Sequence, residues 1–335
     1  MNRFVALLVP ASALAGCMHP YAPLGNDPGP VPKDYEVVLC PGSGPYPLDP
    51  DDPYTHIPGR PIARVVYHAW FPDGRIDCGY MDRIHGSPRA MIAGDGQVPG
   101  TTGIVVGPAS SGALEMRLTA PDPIPKDAAG ENMTPSVGVF STNLPLGPTA
   151  VFTVRGTFRA PEGPHLPATA SDSNAWVVAL VVRTGDERDL GTETRLALTF
   201  KVKNDRATLN IIETGSDVAR GSVPVPQEIY DRIFGLGGSP PEPFTLELYV
   251  DRQTGKGVAT LIPSYPPLRI PFDMVTFGPG KGPATVVAGP AIATCCSPGG
   301  SVRAEWTEFK ILQFYDPRLL RIEPNVPNQG PINPL

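Results

Sequence analysis

The sequence predicts an all-β, antiparallel globular domain set between irregular arms. Three observations predict it. The 335 residues include 44 prolines and 36 glycines, roughly twice their usual combined share of about 12%. Proline removes a helix hydrogen bond and glycine costs backbone entropy, so bundles, coiled coils and helical repeats are excluded. Hydrophobic residues make up 41% and charged residues only 18%, so the chain can bury a core and is not a solvated polyelectrolyte. Finally, apolar residues recur with period two through much of residues 101–315.

The elements follow in order. Residues 17–60 form a Pro-rich tether, with eleven prolines after residue 17, and should be extended and polyproline-like. Residues 61–100 read as a small hairpin region packing on the main domain. Its runs at 63–70 and 75–81 flank the turn signal Phe71-Pro72-Asp73-Gly74. Short strands follow at 103–106, 114–119 and 137–140. In 151–159, Phe152, Val154, Gly156 and Phe158 share one face. The run 175–182 is nearly all apolar and reads as a central strand covered on both faces, with Trp176 in the core. Strands at 195–203 and 207–212 pair across Asn204-Asp205, and 244–251 leads through a turn into 258–262. The last strand, 302–314, changes parity between Trp306 and Phe309, the mark of a bulge. One helix is expected at 227–234, after Pro224 and Pro226 and before Gly235. Residues 316–335 form an irregular tail.

Net charge is −6 and the pI about 5.4, with no basic run, so no nucleic-acid partner is expected. The chain opens MNRFVALLVPASALAGC. Arg3 precedes an apolar run too short to span a bilayer, and Leu14, Ala15 and Gly16 precede Cys17. This resembles the lipobox of bacterial lipoproteins. The resemblance implies that residues 1–16 are a signal peptide and that Cys17 carries a thioether-linked diacylglycerol, an anchor in the membrane. Met18, where Asp would retain such a protein in the inner membrane, implies the outer membrane of a two-membrane cell. The plainer alternative is an ordinary secretory signal with Cys17 incidental.

Export would place Cys40, Cys78, Cys295 and Cys296 in an oxidising compartment as disulfide candidates. Four cysteines allow three pairings. Joining Cys295 to Cys296 is strained, because neighbouring Cα atoms lie about 3.8 Å apart and disulfides prefer about 4.4–6.8 Å. Crossing Cys40 and Cys78 to that pair is less strained. A zinc site lacks the usual C-x₂₋₄-C spacing. Asp49, Asp51 and Asp52 have no glycine hinge or distal glutamate for a calcium loop. No metal or other cofactor is therefore expected, structural calcium being indicated by no motif.

The segments VFTVRGTFRAPEG, SNAWVVALVVRTG, TRLALTFKV, FTLELYVDRQTGKGVATLI and VRAEWTEFKIL resemble those of concanavalin A-like lectin/glucanase domains. The resemblance covers residues 101–315 and implies a two-sheet antiparallel jelly-roll sandwich, its final strand beside an early one. Members include glucanases, lyases, lectins and adhesive domains. The glucanase branch carries an E-x-D-x-(x)-E cluster whose alternate carboxylates share one sheet face. It is absent: Glu247 and Asp251 lack a third carboxylate, and Glu305 and Glu308 would point to opposite faces of an unbroken strand.

The polar sides of the strands offer a candidate glycan groove formed by Arg155, Arg195, Lys201, Glu247, Tyr249 and Asp251. Trp306 and Tyr249 are the candidates for stacking on sugar rings; the alternative is an ordinary solvated sheet face. His68, His85 and Asp82 lack zincin spacing, and the serine-hydrolase, P-loop and dinucleotide motifs are absent. No catalytic residue is assigned. The expected function is a lipid-anchored envelope protein that binds a glycan without catalysis. The alternatives are a polysaccharide hydrolase or lyase, and a structural lipoprotein with a protein partner.

Overall fold

The computed structural model describes residues 98–314 except 127–129, 131, 142–143, 145, 147–149, 168–172, 184–194, 214–218, 265–267, 282–285 and 296. Before residue 98 it describes Phe71 and short strand segments. Residues 1–16, Cys17, Cys40, Cys78, Asp82, His85, Cys296, most of the tether and the tail 316–335 lie outside the described residues. Cys295 ends a strand, but its side chain also lies outside them.

Two short ladders pair Asp34–Tyr35 (β1) with Tyr46–Pro47 (β2), and His56–Ile57 (β3) with Arg60–Pro61 (β4). Next come Ala63–Ala69 (β5), Gly79–Met81 (β6), Met91–Ala93 (β7), Thr102–Pro108 (β8), Leu114–Thr119 (β9) and Ser136–Phe140 (β10). Val151–Arg159 (β11), Asn174–Arg183 (β12), Arg195–Lys203 (β13), Arg206–Glu213 (β14) and Ala219–Pro224 (β15) lead to the helix Gln227–Phe234 (α1). Phe244–Asp251 (β16), Lys256–Ile262 (β17), Leu268–Asp273 (β18), Val287–Cys295 (β19) and Ser301–Phe314 (β20) follow.

The fold is an antiparallel two-sheet sandwich. One sheet has the order β15-β14-β13-β12-β19-β10-β7, the other β18-β17-β16-β11-β20-β5-β6, with β9 also on β20 and β8 on β9. The final strand lies beside the early strands β5 and β9, as the resemblance implied. Residues 63–93 supply strands to both sheets. Asn204 and Asp205 take φ of 50° and 55°, the left-handed pair that a tight hairpin needs. Helix α1 ends at Gly235 with φ of 63°, and its buried Phe234 packs 6.2 Å from Phe200. Among the described residues no helix is long and apolar enough to cross a membrane.

Eight described strands depart from the sequence expectation: β1 to β4, paired in ladders where a polyproline-like tether was expected, and β7, β15, β18 and β19. The most consequential is β19, which lies between β12 and β10 inside the seven-stranded sheet although it contains Gly289 and Pro290. Proline cannot donate to a ladder and normally marks an edge, so the pattern reads as a loop. Gly289 is needed here because a Cβ would collide with the Val139 carbonyl of β10.

The core lies between the sheets, where Phe158 meets Phe200 at 6.4 Å and Trp306 at 5.8 Å. Gly156 belongs to this layer. A Cβ there would lie 2.5 Å from the Trp306 ring and 2.9 Å from Leu180 Cδ2. Gly156→Ala should therefore destabilise by about 1–3 kcal/mol through overpacking, read as a lower denaturation midpoint. An unchanged midpoint would show that Trp306 moves aside freely.

Candidate functional site

The six candidate groove residues do not converge. Arg155, Glu247, Tyr249 and Asp251 lie on the outer face of the nine-stranded sheet, because their alternates Val154, Leu246, Leu248 and Val250 fill the core. Arg195 and Lys201 lie on the outer face of the other sheet, opposite the core residues Leu196, Phe200 and Val202. The whole core separates the two groups, so a single groove containing all six is corrected.

The first group is built into the structure rather than presented to solvent. Glu247 is 0% exposed and pairs with Arg155, its cross-strand neighbour, at 3.2 Å. Tyr249 is buried against Phe314, ring centres 6.0 Å apart; burial, then the charge of Asp251, raises its hydroxyl pKa. It therefore offers no open stacking face. Asp251 caps the turn after β16, accepting from the backbone N–H groups of Gln253 and Thr254 and from the Thr254 hydroxyl. Trp306 is also corrected. It is 0% exposed in the central aromatic cluster, where no sugar reaches it.

A second acidic arrangement lies on the same outer face. The β20 bulge makes Thr307 the extra residue, since Glu308 pairs with Thr157 while Trp306 pairs with Phe158. Glu305 and Glu308 therefore share a face, contrary to the unbroken-strand expectation. Glu305 is directly opposite Glu115, and both are buried. Arg303 bridges them, donating to Glu115 Oε2 at 2.9 Å and Glu305 Oε1 at 3.1 Å, while Ser111 donates to Glu305 Oε2. The bridging cation makes this an ion-pair network. Among the described residues no three His, Cys, Asp or Glu side chains gather as a metal site.

The outer face of the seven-stranded sheet has a different character. A bulge in β12 inserts Val177, so Trp176 pairs with Lys201 and Val178 with Phe200. Val177 and Val178 both point into the core, and Trp176 points out. It is half-buried against a small cluster containing Ala179 and Ala197, with the Arg195 guanidinium 6.0 Å from its ring centre. Phe140 repeats the arrangement. Its ring lies where a Cβ on Gly138 would sit, and Arg183 lies 4.6 Å over it. Thr199, between Ala197 and Lys201 on the outward side of β13, is 0% exposed, and its hydroxyl has no hydrogen-bond partner. The sequence singled out Arg195 and Lys201 here but missed Trp176, Phe140 and Arg183, because the parity of β12 reverses at an all-apolar stretch.

No protein-family model matches the chain, and no curated protein matches it in sequence. Solved lectins are similar in fold. The winged bean acidic lectin complexed with methyl-α-D-galactose has a TM-score of 0.40 and 8% identity, covering 68% of this chain and 98% of that one. Lectin I from Ulex europaeus, in complex with the methyl glycoside of α-L-fucose, has a TM-score of 0.41 and 11% identity with the same coverages. The metal-free lectin I-B4 from Griffonia simplicifolia has a TM-score of 0.39 and 10% identity, covering 67% and 98%.

Proposed function

We propose that this chain is an exported, lipid-anchored protein of the cell envelope whose β-sandwich binds a glycan without catalysis. One observation carries the binding half: the outward, half-buried Trp176 beside Arg195 and Lys201. An aromatic ring beside charged donors suits a sugar, which presents C–H faces and hydroxyl edges together. The anchoring half rests on the lipobox-like residues 14–17 and on the proline-rich spacer that follows them. The outer membrane is the proposed location, on the strength of Met18.

Each half has its own test. Cys17→Ala should abolish incorporation of a labelled fatty acid, and continued labelling would overturn the anchor. The full chain in detergent, applied to an array of envelope and environmental polysaccharides, should bind a restricted set; binding to none would overturn the glycan reading. The facing Glu115 and Glu305 favour one rival, a hydrolase. Release of reducing sugar by the native chain, lost in Glu305→Gln, would establish that rival instead.

A further inference from the structure

The outer face of the seven-stranded sheet continues past Trp176 toward the edge strand β15. Cross-strand pairing sets Trp176, Lys201, Thr208 and Pro224 in one row, and Ala179, Thr199, Asn210 and Ser222 in the next. Both rows point outward, because the alternate residues Phe200, Val202, Ala207, Leu209 and Ile211 fill the core. Three cations of this face, Arg183, Arg195 and Lys203, have partners within the chain, so neutral groups carry much of its remaining hydrogen-bonding capacity.

Those neutral groups form a directed chain. Asn210 Nδ2 lies 3.3 Å from the Thr208 carbonyl and 3.0 Å from the Thr208 hydroxyl. A carbonyl can only accept, so the amide nitrogen donates and Oδ1 takes the other side. There it accepts from the Ser222 hydroxyl at 2.7 Å. Ser222 has thus used its hydrogen and keeps its lone pairs, whereas the Thr208 hydroxyl accepts and keeps a hydrogen to donate. One end of the chain accepts and the other donates. A sugar hydroxyl does both, but a carboxylate only accepts.

Thr199 adds an independent sign. It stands beside Asn210 in the same row, and its hydroxyl is buried without a partner. That costs free energy in the unliganded protein, and a sugar hydroxyl would relieve it. Lys201, two residues along β13, has a flexible stem that can swing clear of an arriving ring. Adjacent strands are about 4.8 Å apart, close to the length of one pyranose ring in an extended polymer.

We propose that this face binds a neutral glycan lying across the strands from β12 to β15, one ring packed on Trp176 and the next hydrogen-bonded by Thr199, Thr208, Asn210 and Ser222. The proposal rests on the glycan reading above and gives that site a chemical class and a direction.

The test applies the full chain in detergent to three neutral polymers, hydroxyethyl cellulose, galactomannan and dextran, and to two acidic ones, carboxymethyl cellulose and polygalacturonate. At least one neutral polymer should bind about tenfold or more tighter than either acidic one, and added salt should not weaken it. The double variant Asn210→Ala/Ser222→Ala should lose about tenfold of that affinity. Its melting temperature should stay near that of the native protein, since neither side chain is buried. Thr199→Val should lose a smaller factor without lowering the melting temperature, because it removes an unpartnered hydroxyl and keeps the shape. Trp176→Ala should lose binding and Trp176→Phe should retain part of it, while Arg159→Gln on the other sheet should change nothing. An acidic polymer as the tightest binder would overturn the neutral assignment and leave the glycan reading intact. Neutral binding unchanged in the double variant would overturn the placement across β14 and β15. Binding to none of the five would overturn this proposal, and the glycan reading falls with it only if the wider array is also negative.

Discussion

Glu213→Ala is expected to cost about 3–5 kcal/mol of stability, the scale for removing one partner from a buried ionic arrangement. Glu213 is 1% exposed at the end of β14. Its carboxylate accepts from the backbone N–H groups of Val275, Thr276 and Phe277, from the Thr276 hydroxyl, and from Arg220 Nε at 2.9 Å. Buried Arg252 holds the same irregular segment by its carbonyls, donating to Phe277 and Lys281 and also to Leu146. Burial lowers the Arg252 pKa to about 10. Together these two side chains satisfy backbone groups that no strand pairs.

The same residue predicts a pH dependence. Burial raises the Glu213 pKa, but the hydrogen bonds from Thr276, Val275 and Phe277 outweigh it, and the net shift is below the ordinary 4.5. A lowered carboxylate pKa contributes stability above its unfolded value, and that contribution is lost as pH falls through the folded value. Melting temperature measured from pH 7 downward should therefore fall more steeply below about pH 4.5 in the native protein than in Glu213→Gln. Parallel curves down to pH 2 would refute the assignment.

Trp306→Ala should cost a further large amount, about 3–5 kcal/mol, because it empties the widest side chain of the core. The ring is 0% exposed and packs on Phe158 and beneath Gly156. Its indole N–H has no hydrogen-bond partner, so Trp306→Phe removes an unsatisfied donor along with some volume. It should cost much less, under about 2 kcal/mol. Denaturant unfolding separates these outcomes. If the Phe variant proved as damaging as the Ala variant, the indole N–H would have to be making a bond.

Most of the strand order was legible because the alternation is strong. In β11, β13 and β16 every second residue is apolar, and each predicted span matches the observed strand. The helix was legible from its terminators, Pro226 and Gly235. What stayed hidden has physical causes. Strand β19 contains a proline, which local rules assign to an edge or a loop, yet its neighbours hold it in the sheet interior. The split of the candidate site was hidden because alternation says only that Arg155 and Arg195 each point away from a core. It does not say that they leave it on opposite sides.

The two tryptophans show the division most clearly. Sequence alone determined that this chain is a turn-rich antiparallel β protein, because period two and an excess of proline and glycine permit little else. It placed Trp176 in the core and left Trp306 open to a ligand, and the tertiary structure reverses both. One extra residue in each strand, Val177 and Thr307, is enough. Side chains alternate strictly, so a single inserted residue turns everything beyond it to the other face. Where that insertion is accommodated depends on the partner strands, Lys201 and Phe200 for one and Thr157 and Phe158 for the other. In β20 the parity change between Trp306 and Phe309 marks the insertion, but in the all-apolar run of β12 no local pattern does. The candidate surface therefore belongs to the sheet pairing, although every residue in it was in plain view in the sequence.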